Sequence, residues 1–149
     1  MTYYAFIENG KINGCGQCKV LNEDILKIEV DFDIYNNIEK YIYKDGEIVI
    51  NENYEQEQEQ KEKARIAKLS LTKREVFLGL YQAKGVTPDQ IKAQITDPAA
   101  LIEFEYANDY FRGNPLIDIV GATLGITPEQ LDKFFETNDY TCLLNEDEK

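Results

Sequence analysis

Asn51-Glu52-Asn53-Tyr54-Glu55-Gln56-Glu57-Gln58-Glu59-Gln60-Lys61-Glu62-Lys63 contains one large apolar side chain, Tyr54, and its reading decides how the rest of the chain is divided. Glu, Gln and Lys favour helix. Glu57 with Lys61, and Glu59 with Lys63, are i, i+4 pairs in the favourable order. The stretch reads as a solvated helix that turns apolar at Ala64, Ile66, Ala67 and Leu69, with a flexible linker as the alternative. It separates a half patterned for strands from a half patterned for helices. The expected fold is therefore α+β. A small antiparallel β subdomain spans residues 1–50 and a charged helical connector spans 51–69. A bundle of short α-helices follows over 70–140, then an acidic tail over 141–149.

Ahead of the connector, Tyr3 to Ile7 is strand-like and Glu8-Asn9-Gly10-Lys11 carries the Asn-Gly signal of a tight hairpin. A second strand is expected from Ile12 to about Val20. Leu26-Lys27-Ile28-Glu29-Val30 alternates apolar and charged residues, which buries one face. Asp33 to Lys40 reads as a short helix or an irregular loop. Tyr41-Ile42-Tyr43 and Ile48-Val49-Ile50 flank Asp45-Gly46, the clearest hairpin in the chain. One sheet of about four or five short strands is expected, marginal without another surface to pack on.

Beyond the connector, residues 70–138 read as helical with explicit starts. Thr72 with Glu75 is a capping box, and Thr87-Pro88-Asp89-Gln90 and Thr127-Pro128-Glu129-Gln130 combine a cap, a proline and a glutamine. Asp97-Pro98 opens a longer helix carried through Tyr106 to Tyr110, and Asn114-Pro115 opens another. Gly85-Val86-Thr87-Pro88-Asp89-Gln90-Ile91 is echoed by Gly125-Ile126-Thr127-Pro128-Glu129-Gln130-Leu131. Each glycine is placed to end a helix left-handed. Two copies of one helical corner explain this echo better than a solenoid, which needs three or more repeats.

Composition narrows function. The chain has no histidine, the usual general base at neutral pH and the commonest metal ligand. Its 28 acids against 16 bases give a net charge of −12, which opposes a grip on nucleic-acid phosphates. No apolar run approaches the length of a membrane span, and the N-terminal residues lack the regions of a signal peptide. Residence in the cytoplasm is expected. Three cysteines do not make a secreted disulfide framework.

Candidate chemistry is thin. Cys15-Gly16-Gln17-Cys18 lies in a strand candidate, whereas redox motifs place the pair at a helix start. A zinc site needs four ligands, and only Cys142 remains. The helix opening at Pro128 resembles the second helix of a DNA-binding corner, but Glu129, Asp132 and Glu136 outnumber Lys133. Asp97, Glu103, Glu105, Asp109 and Asp118 could pair as carboxylates, with Glu105 and Asp109 one turn apart on an expected helix; a solvated face is the better reading. No phosphate loop or nucleophile elbow is present. Arg112-Gly113-Asn114-Pro115, preceded by Asn108-Asp109-Tyr110, forms a polar turn between apolar helices. Tyr106, Asp109, Tyr110, Arg112 and Asn114 are accordingly the candidate interaction residues, with a purely structural turn as the alternative. Neither a catalytic residue, a cofactor nor a metal is expected.

Phe6-Ile7-Glu8-Asn9-Gly10-Lys11-Ile12, Lys44-Asp45-Gly46-Glu47-Ile48-Val49-Ile50-Asn51, and the Glu/Gln stretch leading into residues 64–77 together resemble small proteins encoded near the tail genes of phages and prophages. The layout of β-rich head, acidic connector and helical tail is similar to tail-fibre accessory or assembly proteins. The resemblance implies a non-catalytic, protein-binding role and transfers no active-site residue. It also admits a second role found among phage accessory proteins, an acidic inhibitor of a host defence nuclease of the anti-CRISPR kind. The expected partner is thus another protein, a tail component or a host defence protein, with no direct nucleic acid and no membrane. A homodimer and association with the virion are both compatible with this layout.

Overall fold

A computed structural model describes residues 1–17 and 25–145. The fold is α+β, and the chain divides into two compact units, Met1–Glu59 and Gln60–Lys149. Cys18, the end of the expected second strand and residues 146–149 of the acidic tail lie outside the described residues.

The first unit begins with β1 (Tyr3–Glu8), β2 (Lys11–Gly16) and β3 (Leu26–Val30), an antiparallel sheet in the order β2-β1-β3. Asn9 and Gly10 turn the first hairpin at φ 51° and 73°, the double left-handed geometry that Asn-Gly favours. Asn13 is the extra residue of a bulge, because Ile7 pairs with Ile12 while Phe6 pairs with Gly14. The chain then leaves the sheet. Asp31 accepts from the Ile34 N–H at 2.8 Å and caps α1 (Phe32–Asn36), which a 3-10 turn over Ile38–Lys40 follows.

β4 (Tyr41–Lys44) and β5 (Glu47–Ile50) form their own two-stranded ribbon. The single larger sheet expected from the sequence is therefore two sheets. The helical excursion after β3 removes the chain from the ladder, and the ribbon joins the core through side chains instead. Its cross-strand pair Tyr43 and Ile48 packs against buried Ala5, Ile7 and Val30, as do Tyr3, Ile28 and Tyr35.

Helix α2 (Tyr54–Ala67) confirms the helical reading of the connector. Glu55 and Glu57 stand in its first turn and Arg65 in its last, matching the helix dipole at both ends.

In the second unit all five expected helix starts carry their caps. They open α3 (Lys73–Lys84), α4 (Pro88–Lys92), α5 (Pro98–Tyr106), α6 (Pro115–Thr123) and α7 (Pro128–Thr137). Thr72, Thr87 and Thr127 each complete a reciprocal capping box. Gly85 and Gly125 end the preceding segments at φ 67° and 68°, so the echoed sequence is an echoed corner. Thirteen buried apolar side chains form this core, centred on Leu80, Phe104, Tyr110, Leu131 and Phe134. A void of about 20 Å³ remains among them, room for about one water. A Cβ at Gly79 would lie 2.4 Å from Phe134 Cζ, so only glycine lets α3 approach that ring.

One expectation fails here. Residues 70–138 are not all helical: Ser70–Thr72 forms β6 and Asp109–Phe111 forms β7, paired antiparallel. The helix expected to run to Tyr110 ends at Tyr106. Tyr110 then turns inward and its hydroxyl donates to the Phe104 carbonyl oxygen at 2.7 Å. Glu105 and Asp109 consequently stand on a helix and a strand, not one turn apart.

Candidate protein-binding surface

The residues singled out between Tyr106 and Asn114 divide into an outer and an inner set. On α5, Phe104 is buried while Ile102 and Tyr106 face outward, 60% and 77% exposed. They are four residues apart and share one helical face. On β7 the alternation of a strand takes over. Tyr110 points in at 2% exposure, and Asp109 and Phe111 point out, Phe111 at 54%. Thr72 and Ser70 are their cross-strand partners.

The inner set braces this face. Arg112, 7% exposed, reaches three groups. Its Nε donates to Asp132 Oδ1 at 2.6 Å, its Nη1 to Asp118 Oδ1 at 2.8 Å and its Nη2 to the Pro128 carbonyl oxygen at 3.3 Å. It thus pins the end of β7 to α6 and to the first two turns of α7. Its backbone N–H donates to the Leu69 carbonyl oxygen, and Gly113 N–H to that of Ala67, anchoring the end of α2. Gly113 is needed for this approach, since a Cβ there would lie 2.9 Å from Ala67 Cβ.

Asn114 works in two directions. Its Oδ1 accepts from the Leu116 N–H at 3.0 Å to cap α6, and its Nδ2 donates to Glu103 Oε1 at 2.7 Å, tying α6 to α5. Burial, and behind it the charge of Glu103, pushes the Tyr110 hydroxyl up to about 12. Lys73 lies 5.7 and 5.9 Å from the Phe77 and Phe104 ring centroids and donates to the Glu105 carbonyl oxygen at 2.6 Å. Lys92 pairs with the Glu105 carboxylate.

Of the five expected interaction residues, Tyr106 and Asp109 are therefore at the surface. Tyr110, Arg112 and Asn114 hold that surface in place. Ile102 and Phe111 belong to the outer set and were missed by sequence reasoning. The available signal was that Leu101, Ile102, Phe104 and Tyr106 spread around α5 beside Glu103 and Glu105, so one buried stripe cannot cover them all. Residues 93–111 contain Asp97, Glu103, Glu105 and Asp109 and no base, while Lys73 and Lys92 reach Glu105 from neighbouring elements.

The other candidates find structural employment. Cys15 is half-buried, and its thiol donates to the Tyr35 carbonyl oxygen at 3.6 Å. Burial, then Glu39, raises its pKa, opposite to the shift a reactive thiolate requires. In α7, Leu131, Phe134 and Phe135 are core, while Asp132 and Glu136 pair with Arg112 and Arg65. A cleft of about 620 Å³ runs between the start of α7 and the 3-10 turn Tyr140–Leu143, bridged by Gln130 Nε2 donating to the Leu144 carbonyl oxygen at 2.9 Å. Among the described residues no group of three His, Cys, Asp or Glu side chains could hold a metal ion, and no helix is long and apolar enough to cross a membrane.

Comparison with protein-family models, with curated proteins and with solved structures found no match to this chain.

Proposed function

We propose that this is a non-catalytic protein-binding protein encoded by a phage or prophage, acting as a tail-associated assembly or accessory factor, and that the outer face of α5 and β7 receives its partner. One observation carries the reading of the surface: Ile102, Tyr106 and Phe111 are exposed on a base-free segment that is braced from behind by Arg112, Tyr110 and Asn114. Aromatic side chains are enriched at protein interfaces, and tyrosine is among the residues that carry most binding energy. Rigidity reduces the ordering cost of association. The assignment to a tail-associated factor rests on the resemblance of the sequence layout, and with it the placing of the protein in the host cytoplasm or on the virion.

A second reading, the inhibitor of a host defence nuclease, is favoured by the net charge of −12, which suits a basic nucleic-acid channel. The two readings separate in one affinity capture of the tagged protein from cells in which the parent phage is induced, read by mass spectrometry. Virion tail proteins, lost when Tyr106→Asp and Ile102→Asp are introduced together, are expected. A host nuclease released steeply by salt would replace the first reading with the second. An unchanged set of partners for the double variant would remove α5 and β7 from the account.

A further inference from the structure

The acidic α5–β7 face is joined to a helix of opposite charge. Among α1 to α7 only α3 has a net positive charge, with Lys73, Arg74 and Lys84 against Glu75. Two of these cations stand in its first turn, where the helix dipole disfavours them. Lys73 is compensated by the Phe77 and Phe104 rings and by the Glu105 carbonyl oxygen. Arg74 is exposed and makes no hydrogen bond or ion pair among the described residues; its charge acts on Glu75 only through space. One and two turns on, Leu78 and Tyr81 share its side of α3, 45% and 56% exposed.

The start of α3 is stitched to the start of β7. Thr72 is the cross-strand partner of Asp109, and the Lys73 N–H donates to the Asn108 carbonyl oxygen at 2.8 Å. Asp109 is exposed, and its carboxylate has no hydrogen bond or ion pair among the described residues. Neighbouring acids are already engaged: Glu75 by Thr72 and Asn138, Glu103 by Asn114, and Glu105 by Lys92. One junction thus carries both halves of an ion pair that the fold does not close. Leu78 and Tyr81 accompany the cation, and Tyr106 and Phe111 accompany the anion. A surface of that kind fits a copy of itself, because about a two-fold axis each half meets the other. Arginine and aromatic side chains are also the residue types enriched at interface centres. The net charge of −12 does not forbid this contact, since at about 0.15 M salt charges more than about 8 Å apart are largely screened.

We infer that in the free protein the α5–β7 face receives a second copy of this chain, with Arg74 of each copy on Asp109 of the other. The inference rests on α5–β7 being a binding face, and not on the tail assignment. A guanidinium and a carboxylate can meet through two parallel hydrogen bonds, which fixes the register of the pair. The contact is small, so the dimer is expected to be weak, monomeric at about 1 μM and dimeric at about 1 mM.

Sedimentation velocity of the full-length protein over that range tests it. Arg74→Asp and Asp109→Arg each turn two attractive contacts into repulsive ones, and each should raise the dissociation constant at least about tenfold. Both positions are exposed, so circular dichroism should show both variants folded. Mixed in equal amounts, the two variants regain both opposite-charge contacts and should associate as tightly as the parent protein, a rescue that a merely structural role would not give. A monomer at every concentration, a dimer indifferent to either reversal, or variants that stay monomeric when mixed would overturn the inference. Arg74 lies outside α5 and β7, so Arg74→Asp should leave capture of a tail protein intact. Capture that persists without self-association sinks this inference alone. Self-association without capture upholds it and removes the tail reading.

Discussion

The β unit and the helical unit solve the same problem with different means. In the first, Ala5, Ile7 and Val30 are the buried apolar core, and half-buried tyrosines and isoleucines complete it. In the second, thirteen buried side chains including Phe134 form the core, and each of the five helix starts from α3 to α7 is fixed by a side-chain cap. Stability grows with the apolar surface removed from water. The helical unit should therefore be the sturdier support, and the β unit the one whose stability depends on its few inward residues. The proposed binding face, with Ile102 and Tyr106, stands on that sturdier support.

The largest expected effect attacks that contrast directly. Phe134→Ala removes a ring that is 1% exposed and should cost the helical unit about 3–5 kcal/mol. Ile7→Ala should cost the β unit about 2 kcal/mol, near the lower end for such truncations, because a shallow core relaxes around the gap. Urea unfolding followed by NMR signals assigned to each unit would measure both, and an equal or reversed order would break the comparison. Gly79→Ala comes next, at about 1–3 kcal/mol, because its new Cβ drives into the Phe134 ring.

Alkaline titration is subtler. The fold raises the Tyr110 pKa from its ordinary value near 10 to about 12, so the neutral phenol is the form the fold prefers. Its contribution is complete below about pH 10 and is lost as pH rises toward about 12. Tyr110→Phe should flatten that part of the stability profile relative to the parent protein. A parallel profile would show that the hydroxyl is not held in the core. The smallest effect on folding sharpens the division between support and surface: Tyr106→Ser should change stability by no more than about 0.5 kcal/mol while weakening partner capture. A substantial loss of stability would make Tyr106 a packing residue.

Much of this fold could be read from the chain because its signals are local. Asn9-Gly10 and Asp45-Gly46 turn hairpins because both positions need positive φ, and both have it. Thr72, Thr87, Asp97, Asn114 and Thr127 mark helix starts because a side-chain oxygen there replaces a missing backbone acceptor. What escaped was non-local. Ser70-Leu71-Thr72 and Asp109-Tyr110-Phe111 are too short to show a period, and each is a strand only because the other pairs with it. Tyr110 sits one turn after Tyr106 in a helical pattern, and nothing nearby announces that its hydroxyl closes back on Phe104. Arg112 in a polar turn reads as solvent-facing, since its carboxylate partners Asp118 and Asp132 come from two later helices. Candidate surface residues were thus legible by neighbourhood, while their sorting into surface and support required the strand.

The measurement that tests the central claim most directly is hydrogen–deuterium exchange of the full chain, free and in the presence of a protein recovered by the affinity capture proposed above. The account predicts slowed exchange concentrated in residues 98–111, across α5 and β7. Unchanged exchange there, with protection confined to the cleft beside Gln130 and Leu144, would contradict it.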